Sequence, residues 1–370
     1  MTERSPAGPR SASGALRVLH LVGSAVSEDL ADLSRLYARD ALATLSAPGL
    51  AYAHVIAHVA PPADAEGGAR WSFPTDLSSD AIAAAPQMPV AEALAHLAGL
   101  DVDVALPQMF CVPGMTTYRS LLDLLGIPFV GNTATVMAIG AHKQRARAVV
   151  AAAGVRVPDG ELLRPGDPVT LSGDLVVKPA SADNSAGIAL VRSGAGRDAA
   201  LADALQAAFA IDDEVLVEQF VPLGREVRCG VLERDGELVA LPLEEYAVDA
   251  DTKPVRDAAD KLRRVGGDEA GAGELQLVAK DQTYAWIVDA GPEDAVVAAV
   301  HDLAREAFRA LGCRHYGLFD VRIDPDGIPN FLEASLYCSY AQQSVLVAMG
   351  RAAGFDAAAM FADGVAAVRR

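Results

Sequence analysis

Three observations predict an α/β fold built as more than one domain. The chain has 370 residues, beyond the ~250–300 at which a single hydrophobic core stops growing. Apolar strand-like runs alternate with helical patterns through the N-terminal third, the order that builds a parallel sheet. Near the C-terminus, Tyr316 to Ser335 (YGLFDVRIDPDGIPNFLEAS) sets two apolar runs on either side of Asp-Gly, the strongest short hairpin signal a sequence offers.

Taken in order, Met1 to Gly14 reads as a disordered tail. Leu16 to Val22 is a strand, Gly23-Ser24 turns it, and a helix runs from Glu28 to Ala43. Ala51 to Val59 is a second strand. Pro61 to Ser79, rich in Pro, Gly and Asp, reads as a loop. Val90 to Leu100 is helical, Val102 to Leu106 is a third strand, and the loop Pro107 to Thr117 precedes a helix over Tyr118 to Leu125. In such a sheet ligands sit at the carboxyl ends of the strands, which selects Gly23 to Asp29 and Pro107 to Thr117.

A second unit opens near Gly131-Asn132. It has a helix over Lys143 to Ala153, strands at Leu175 to Lys178 and Ile188 to Val191, and a helix over Asp198 to Ala210. A third starts with the strand Val215 to Phe220 and continues through Val227 to Leu232 and Leu238 to Pro242. Asp249 to Ala279 is charged and Gly-rich and reads as a long lid-like loop. The helix Pro292 to Leu311, with proline in its first turn, leads into the hairpin. The sections are therefore a tail (1–14), an N-terminal α/β domain (15–131), a central domain (132–214) and a C-terminal domain (215–370).

In the hairpin, Asp326 and Gly327 as the two loop residues would set Pro325 against Ile328, Ile323 against Asn330, and Asp320 against Glu333. Directly opposed residues share a face, so two carboxylates would repel unless a divalent cation lies between them, and hard oxygens suit Mg²⁺. The alternative is a solvated hairpin edge bearing two ordinary acids.

Composition narrows the class. A formal charge of −18 disfavours nucleic acid, which needs a basic footprint, and equally an anionic membrane surface. The four cysteines are scattered without C-x-x-C spacing, so neither a disulfide framework nor a zinc site is expected, and a cytoplasmic setting follows. No apolar run reaches the ~18–20 residues of a spanning helix.

No G-x-x-x-x-G-K-[ST] is present, which excludes a P-loop. Lys178 ends an apolar strand and enters a loop of small polar residues, Ala180 to Gly187, where charge and backbone N–H groups can hold phosphate. A surface lysine before a turn is the alternative.

The segment Val176 to Gly187 (VVKPASADNSAG) resembles the phosphate-covering segment of the ATP-grasp superfamily, and specifically of D-alanine–D-alanine ligases. LLDLLGIPFVGN (Leu121 to Asn132), His142-Lys143, EQFV followed by Gly224-Arg-Glu226, GCRHYGLFD ending at Asp320, FLEAS ending at Ser335, and Val345 to Gly354 resemble that family's landmarks in order. The resemblance implies ATP-grasp architecture: an N-terminal parallel α/β domain followed by two α+β domains that clamp ATP. It also implies a homodimer, ATP, and Mg²⁺ with Mn²⁺ as an alternative. The partners implied are small-molecule carboxylate and amine substrates, joined through an acyl phosphate. Carried over by position, Lys143 and Lys178 would contact phosphates, Glu218 the adenine amino group, the Val221 backbone the ring, and Glu226 the ribose. Asp320, Glu333 and Ser335 would hold the metal.

Glu28 matches a glutamate for the first substrate's ammonium, or is an acid favoured by the helix dipole. Ser344 matches a serine near the second substrate's carboxylate, or is an N-cap. Asn184 and Ser185 would lie in the loop linking substrate and phosphate.

Three positions depart from the family pattern. Leu318 stands where the family has an arginine for carboxylate and oxyanion. Ser335 replaces an asparagine, and Phe110 to Thr117 replaces a His-Gly-rich acidic loop. Arg322, Arg256, Arg263 and Arg264 are candidates to replace the arginine. His315 and Tyr316 are expected to be structural. The ATP set is better kept than the substrate set, so the expected activity is an ATP-dependent carboxylate–amine ligase on amino-acid-like substrates in a specialised pathway. D-Alanine–D-alanine ligase itself, an intramolecular ring-closing synthetase and a non-catalytic nucleotide binder are the alternatives.

Overall fold

The computed structural model describes residues 14–63, 67–182, 186–249, 262–265, 274–277, 285–288 and 294–369. The tail over 1–13, Asn184, Ser185, Arg256, Pro292 and most of the 249–279 stretch lie outside them. The chain divides into two compact units, one formed by 1–130 with 339–342 and 357–370, the other by 131–338 with 343–356.

In the first unit, strands β1 (Leu16–Gly23) and β2 (Tyr52–Ala60) flank helix α1 (Glu28–Leu45) in the chain and pair in parallel, as strand–helix–strand alternation requires. Ser27 caps α1 by accepting the Leu30 N–H at 3.3 Å. Its buried face is Ala31, Ser34, Ala38, Ala41 and Leu45, small residues that let the helix lie close to the sheet. Strand β3 (Arg70–Ser72), then helices α2 (Ser79–Ala84) and α3 (Val90–Gly99), precede β4 (Val104–Pro107). The sheet order is β3-β2-β1-β4, parallel except for the edge strand β3.

Strand β3 and the start of α2 correct the loop expected over Pro61 to Ser79. Trp71 decides the matter: its ring is buried and stacks on Tyr118, centroids 5.3 Å apart, so local polarity yields to one large apolar anchor. The expected loop Pro107 to Thr117 likewise contains a short helix, α4 (Val112–Met115), before α5 (Thr117–Leu124).

Gly23 ends β1 at φ 106°, and a Cβ there would stand 1.9 Å from the Val59 carbonyl oxygen. No other residue fits. Its N–H donates to Ser34 Oγ at 2.7 Å, and that hydroxyl donates to the Gln108 carbonyl at 2.7 Å, tying two strand ends to α1.

The same sheet buries imidazoles. His20 bonds Gln108 and His54, each at 3.0 Å, and His58 lies 3.2 Å from Arg35. Burial, followed by the neighbouring His54, overcomes the Gln108 bond and pulls His20 down to about 4, while burial and then Arg35 do the same to His58. These rings fold neutral, so the unfolded chain takes up their protons first. Their stabilisation is whole above the unfolded pKa of 6.5 and is lost as pH falls towards about 4. At ~1.4 kcal/mol per pH unit, His20 alone accounts for about 3 kcal/mol across that window. Urea midpoints at pH 7 and 4.5 should show this loss, and His20→Leu should flatten the slope; an unchanged slope would refute the assignment.

The second unit opens with α6 (Ala134–Gly140) and α7 (Lys143–Ala152). Its first sheet contains β5 (Gly160–Leu163), β6 (Leu175–Pro179), β7 (Ala189–Val191) and, after helix α8 (Arg197–Phe209), β8 (Val215–Gln219). The order is β5-β8-β6-β7, antiparallel throughout. Strand β8, expected to open the third section, is instead hydrogen-bonded inside the second section's sheet. Adjacency in the chain could not show that, because β8 fills the gap between β5 and β6.

The larger sheet comprises β9 (Arg225–Arg234), β10 (Glu237–Ala240), β11 (Glu244–Tyr246), β14 (Ala285–Ile287), β15 (Tyr316–Ile323) and β16 (Pro329–Ser335). Its order is β14-β11-β9-β15-β16, with β10 folded onto β9. Strands β12 (Leu262–Val265) and β13 (Glu274–Leu277) pair antiparallel within the stretch read as a lid-like loop. Helix α9 (Ala295–Leu311) buries Val297, Val300, Ala304, Ala307 and Leu311 at helical spacing, and Asp294 caps its first turn. It therefore starts after the expected proline. Helix α10 (Val345–Ala352) belongs to this unit, whereas α11 (Ala357–Val368), absent from the sequence reading, belongs to the first. Among the described residues no single helix is long and apolar enough to cross a membrane.

The β15–β16 turn corrects the expected register. Ile323 faces Pro329 rather than Asn330, and Asp324 holds the turn by accepting the Asp326 and Ile328 N–H groups. A bulge between Asp320 and Val321 then shifts the ladder by one residue. The shift offsets the longer turn, so Asp320 does face Glu333 and Leu318 faces Ser335.

Candidate active site

Lysine and glutamate are rarely buried unless paired, yet the second unit buries several around one cleft. Lys178, Glu218 and Val176 line it from the smaller sheet; Glu226, Asp320, Arg322 and Glu333 line it from the larger. Phe220 and Val221, between β8 and β9, close one side.

Val176 on β6 faces Glu218 on β8, which places Lys178 diagonally across from that glutamate. Lys178 Nζ lies 2.5 Å from Glu218 Oε2, both side chains at most 7% exposed. The second oxygen, Oε1, is buried with no hydrogen-bond donor among the described residues, although Arg147 stands 3.6 Å away. A buried acceptor left open costs ~1–3 kcal/mol, and an incoming N–H group would satisfy it.

Lys143 begins α7. Its Nζ donates to the Ala182 carbonyl and stands 3.9 Å from Glu333 Oε2, linking the loop after β6 to the hairpin. Glu226 is paired with Arg322 Nη2, whose guanidinium also reaches the Val221 carbonyl at 3.4 Å and lies over the Phe220 ring. Arg322, a candidate for the missing arginine, is thereby engaged on the Glu226 side of the cleft. Arg263 and Arg264 fall on β12.

Asp320 is buried and faces Glu333 on one side and Arg228 on the other. Arg228 grips it with two nitrogens, Nε to Oδ1 and Nη2 to Oδ2, the latter at 3.2 Å. Burial works against the Arg228 charge, but Asp320, then Tyr246 and Glu244, outweigh it and raise its pKa well above the ordinary value. The guanidinium is permanently charged. Sequence reading missed Arg228. Alternation along β9 put it on the face of Glu226, but only the β9–β15 pairing shows what it opposes.

Ser335 sits two residues beyond Glu333 on the same face, opposite Leu318. Ser344 occupies the N-cap position of α10, yet its side chain makes no capping bond and its buried Oγ has no hydrogen-bond partner among the described residues. The capping alternative is therefore not what its hydroxyl does. Glu28 lies in the first unit, in the first turn of α1, 61% exposed and 3.6 Å from Arg35.

Asp320 and Glu333 fit a hard divalent cation: two opposed carboxylates, one poised beside a lysine. Among the described residues no group of three or more His, Cys, Asp or Glu could enclose a metal. A two-carboxylate site open to phosphate oxygens and water is the Mg²⁺ pattern rather than an all-protein cage.

A family model described as the D-Ala–D-Ala ligase C-terminus matches residues 170–257. A D-alanine–D-alanine ligase from Nocardia farcinica is 31% identical over 69% of this chain and 67% of its own length. One from a Mycobacterium species (strain JLS) is 30% identical over 75% and 73%. A solved D-Ala:D-Ser ligase from Enterococcus faecalis superposes with TM-score 0.72 at 20% identity, over 96% of this chain and 99% of that one. An ATP complex of the Bacillus anthracis D-alanine–D-alanine ligase gives 0.66 at 19%, over the same shares. These likenesses establish the ATP-grasp fold.

Proposed function

Because the chain belongs to the D-alanine–D-alanine ligase family, we propose that this ATP-dependent C–N ligase joins an amino-acid-like carboxylate to an amine by way of an acyl phosphate. The carboxylate oxygen attacks the γ-phosphorus and ADP leaves; the amine nitrogen then attacks the acyl carbon, releasing phosphate and one proton.

One observation carries the reading: among the described residues the buried Glu218 Oε1 has no hydrogen-bond donor, while it shares a cleft with Lys178 and with the Asp320–Glu333 pair. The open acceptor suits the adenine amino group, the Val221 backbone the ring, and Glu226 the ribose. Lys178 and Lys143 would hold the phosphates, with Asn184 and Ser185 in the adjoining loop. Asp320 and Glu333, with Ser335 beside them, would hold Mg²⁺ or Mn²⁺. When bound, that ion supplies positive charge against the transferring phosphoryl group. Ser344, its hydroxyl open, would meet a substrate carboxylate, and Glu28 a substrate ammonium.

Two readings of the substrate compete. The curated relatives favour D-alanine for both positions. Leu318 favours a different partner, since an alkyl side chain cannot balance a substrate carboxylate, and a specialised pathway follows from it. Purified protein with ATP and Mg²⁺ should release phosphate only when a suitable amino acid is added, with an amide product visible by mass spectrometry. D-Alanine alone supporting full turnover would overturn the Leu318 reading. No phosphate release across D- and L-amino acids and their mixtures would overturn ligase activity on this substrate class.

A further inference from the structure

A charged row crosses the larger sheet, perpendicular to its strands. Register partners run Glu244 on β11, Arg228 on β9, Asp320 on β15 and Glu333 on β16, and opposed residues share a face. The next row, Gly230, Leu318 and Ser335, carries no charge. The row on the other side is Glu226, Arg322 and Asn330, whose arginine is turned to Glu226. Among the described residues of these rows, the cation paired with Asp320 is Arg228 of β9.

Arg228 is also braced. Its guanidinium lies 5.6 Å from the Tyr246 ring centroid, and the Tyr246 hydroxyl donates to Glu244, which faces Arg228 from β11. The planar fork is held from behind while both oxygens of Asp320 are gripped in front.

We propose that Arg228 is the positioning cation of this site, compensating from the neighbouring strand for the uncharged position at Leu318 and making Asp320 accept a divalent cation together with nucleotide phosphate rather than alone. The proposal rests on the nucleotide-ligase reading above. The physical reason is charge balance. A divalent ion arriving by itself must displace part of the Arg228 grip and then sit beside a fixed positive charge. Phosphate brings the negative charge that removes this repulsion. With Arg228 neutralised, Asp320 and Glu333 would have less positive charge beside them, Lys143 remaining 3.9 Å from Glu333, and would take a bare ion more readily.

The test uses the full-length protein and Mn²⁺, titrated by the loss of its free electron paramagnetic resonance signal, with and without a non-hydrolysable ATP analogue. Arg228→Gln should tighten Mn²⁺ alone about tenfold and weaken the Mn²⁺-dependent binding of the analogue about tenfold. A merely structural arginine would move both affinities the same way, and that result, or no change in either, overturns the proposal. Arg228→Lys keeps the charge but loses the fork, so it should fall between wild type and Arg228→Gln in both titrations. Should Arg228→Gln not fold, wild-type behaviour of Arg228→Lys in both titrations is the overturning result. Leu318→Arg combined with Arg228→Gln should recover analogue binding. If wild type binds no analogue with Mn²⁺, the nucleotide reading fails; the Mn²⁺-alone titration still reads Arg228 by itself.

Discussion

Asp320→Asn should lower turnover about a thousandfold, the scale on which one preorganised electrostatic contact to a transferring group acts. Asparagine keeps the shape and one oxygen for Arg228, so the change removes charge more than it removes packing. Arg228 retains Glu244 as its other register neighbour, which limits the cost in stability to about 1–3 kcal/mol. The Mg²⁺ concentration giving half-maximal ADP release should rise in parallel, because a neutral amide is a poor partner for a hard cation. ADP release followed against Mg²⁺ in wild type and variant makes the comparison. Wild-type turnover with an unshifted Mg²⁺ dependence would remove Asp320 from the site.

Lys178→Met separates two effects that one residue combines. Lys178 and Glu218 form a buried pair, with side chains 7% and 3% exposed. Removing one partner of such a pair costs about 3–5 kcal/mol, since the other charge is left uncompensated. Arg147, at 3.6 Å from Glu218, should hold the loss near the lower end. Turnover should fall about a hundredfold or more, because a phosphate contact is lost as well. Adding Glu218→Gln should restore most of the thermal stability and none of the turnover. If the double variant regains both, Lys178 only shields Glu218; if Lys178→Met keeps full activity, it makes no phosphate contact.

Much of the site was legible because its chemistry is encoded in short stretches. Lys178 announces itself at the end of an apolar strand, Asp320 and Glu333 flank a turn, and alternation sorts their faces. Arg228 was illegible for the opposite reason. Its partner lies 92 residues away, on a strand whose neighbour cannot be read from either segment. The hairpin shows both sides of this. Opposition of Asp320 and Glu333 follows from a two-residue turn, yet the molecule reaches it by a longer turn offset by a bulge. Ser27 and Gly23 were readable as local punctuation, whereas β3 depended on the burial of Trp71 and β8 on a gap in a sheet formed elsewhere in the chain.

The sequence by itself determined the α/β class and the order of motifs, because these rest on composition, periodicity and residues close together in the chain; the family, and the acids and lysines of the proposed nucleotide site, followed from the resemblance those motifs carry. Tertiary structure alone decided which charges meet across strands: Glu218 diagonally with Lys178, Glu226 opposite Arg322, and Asp320 between Arg228 and Glu333. Cross-strand register sets those pairings, and a single bulge can reassign them all.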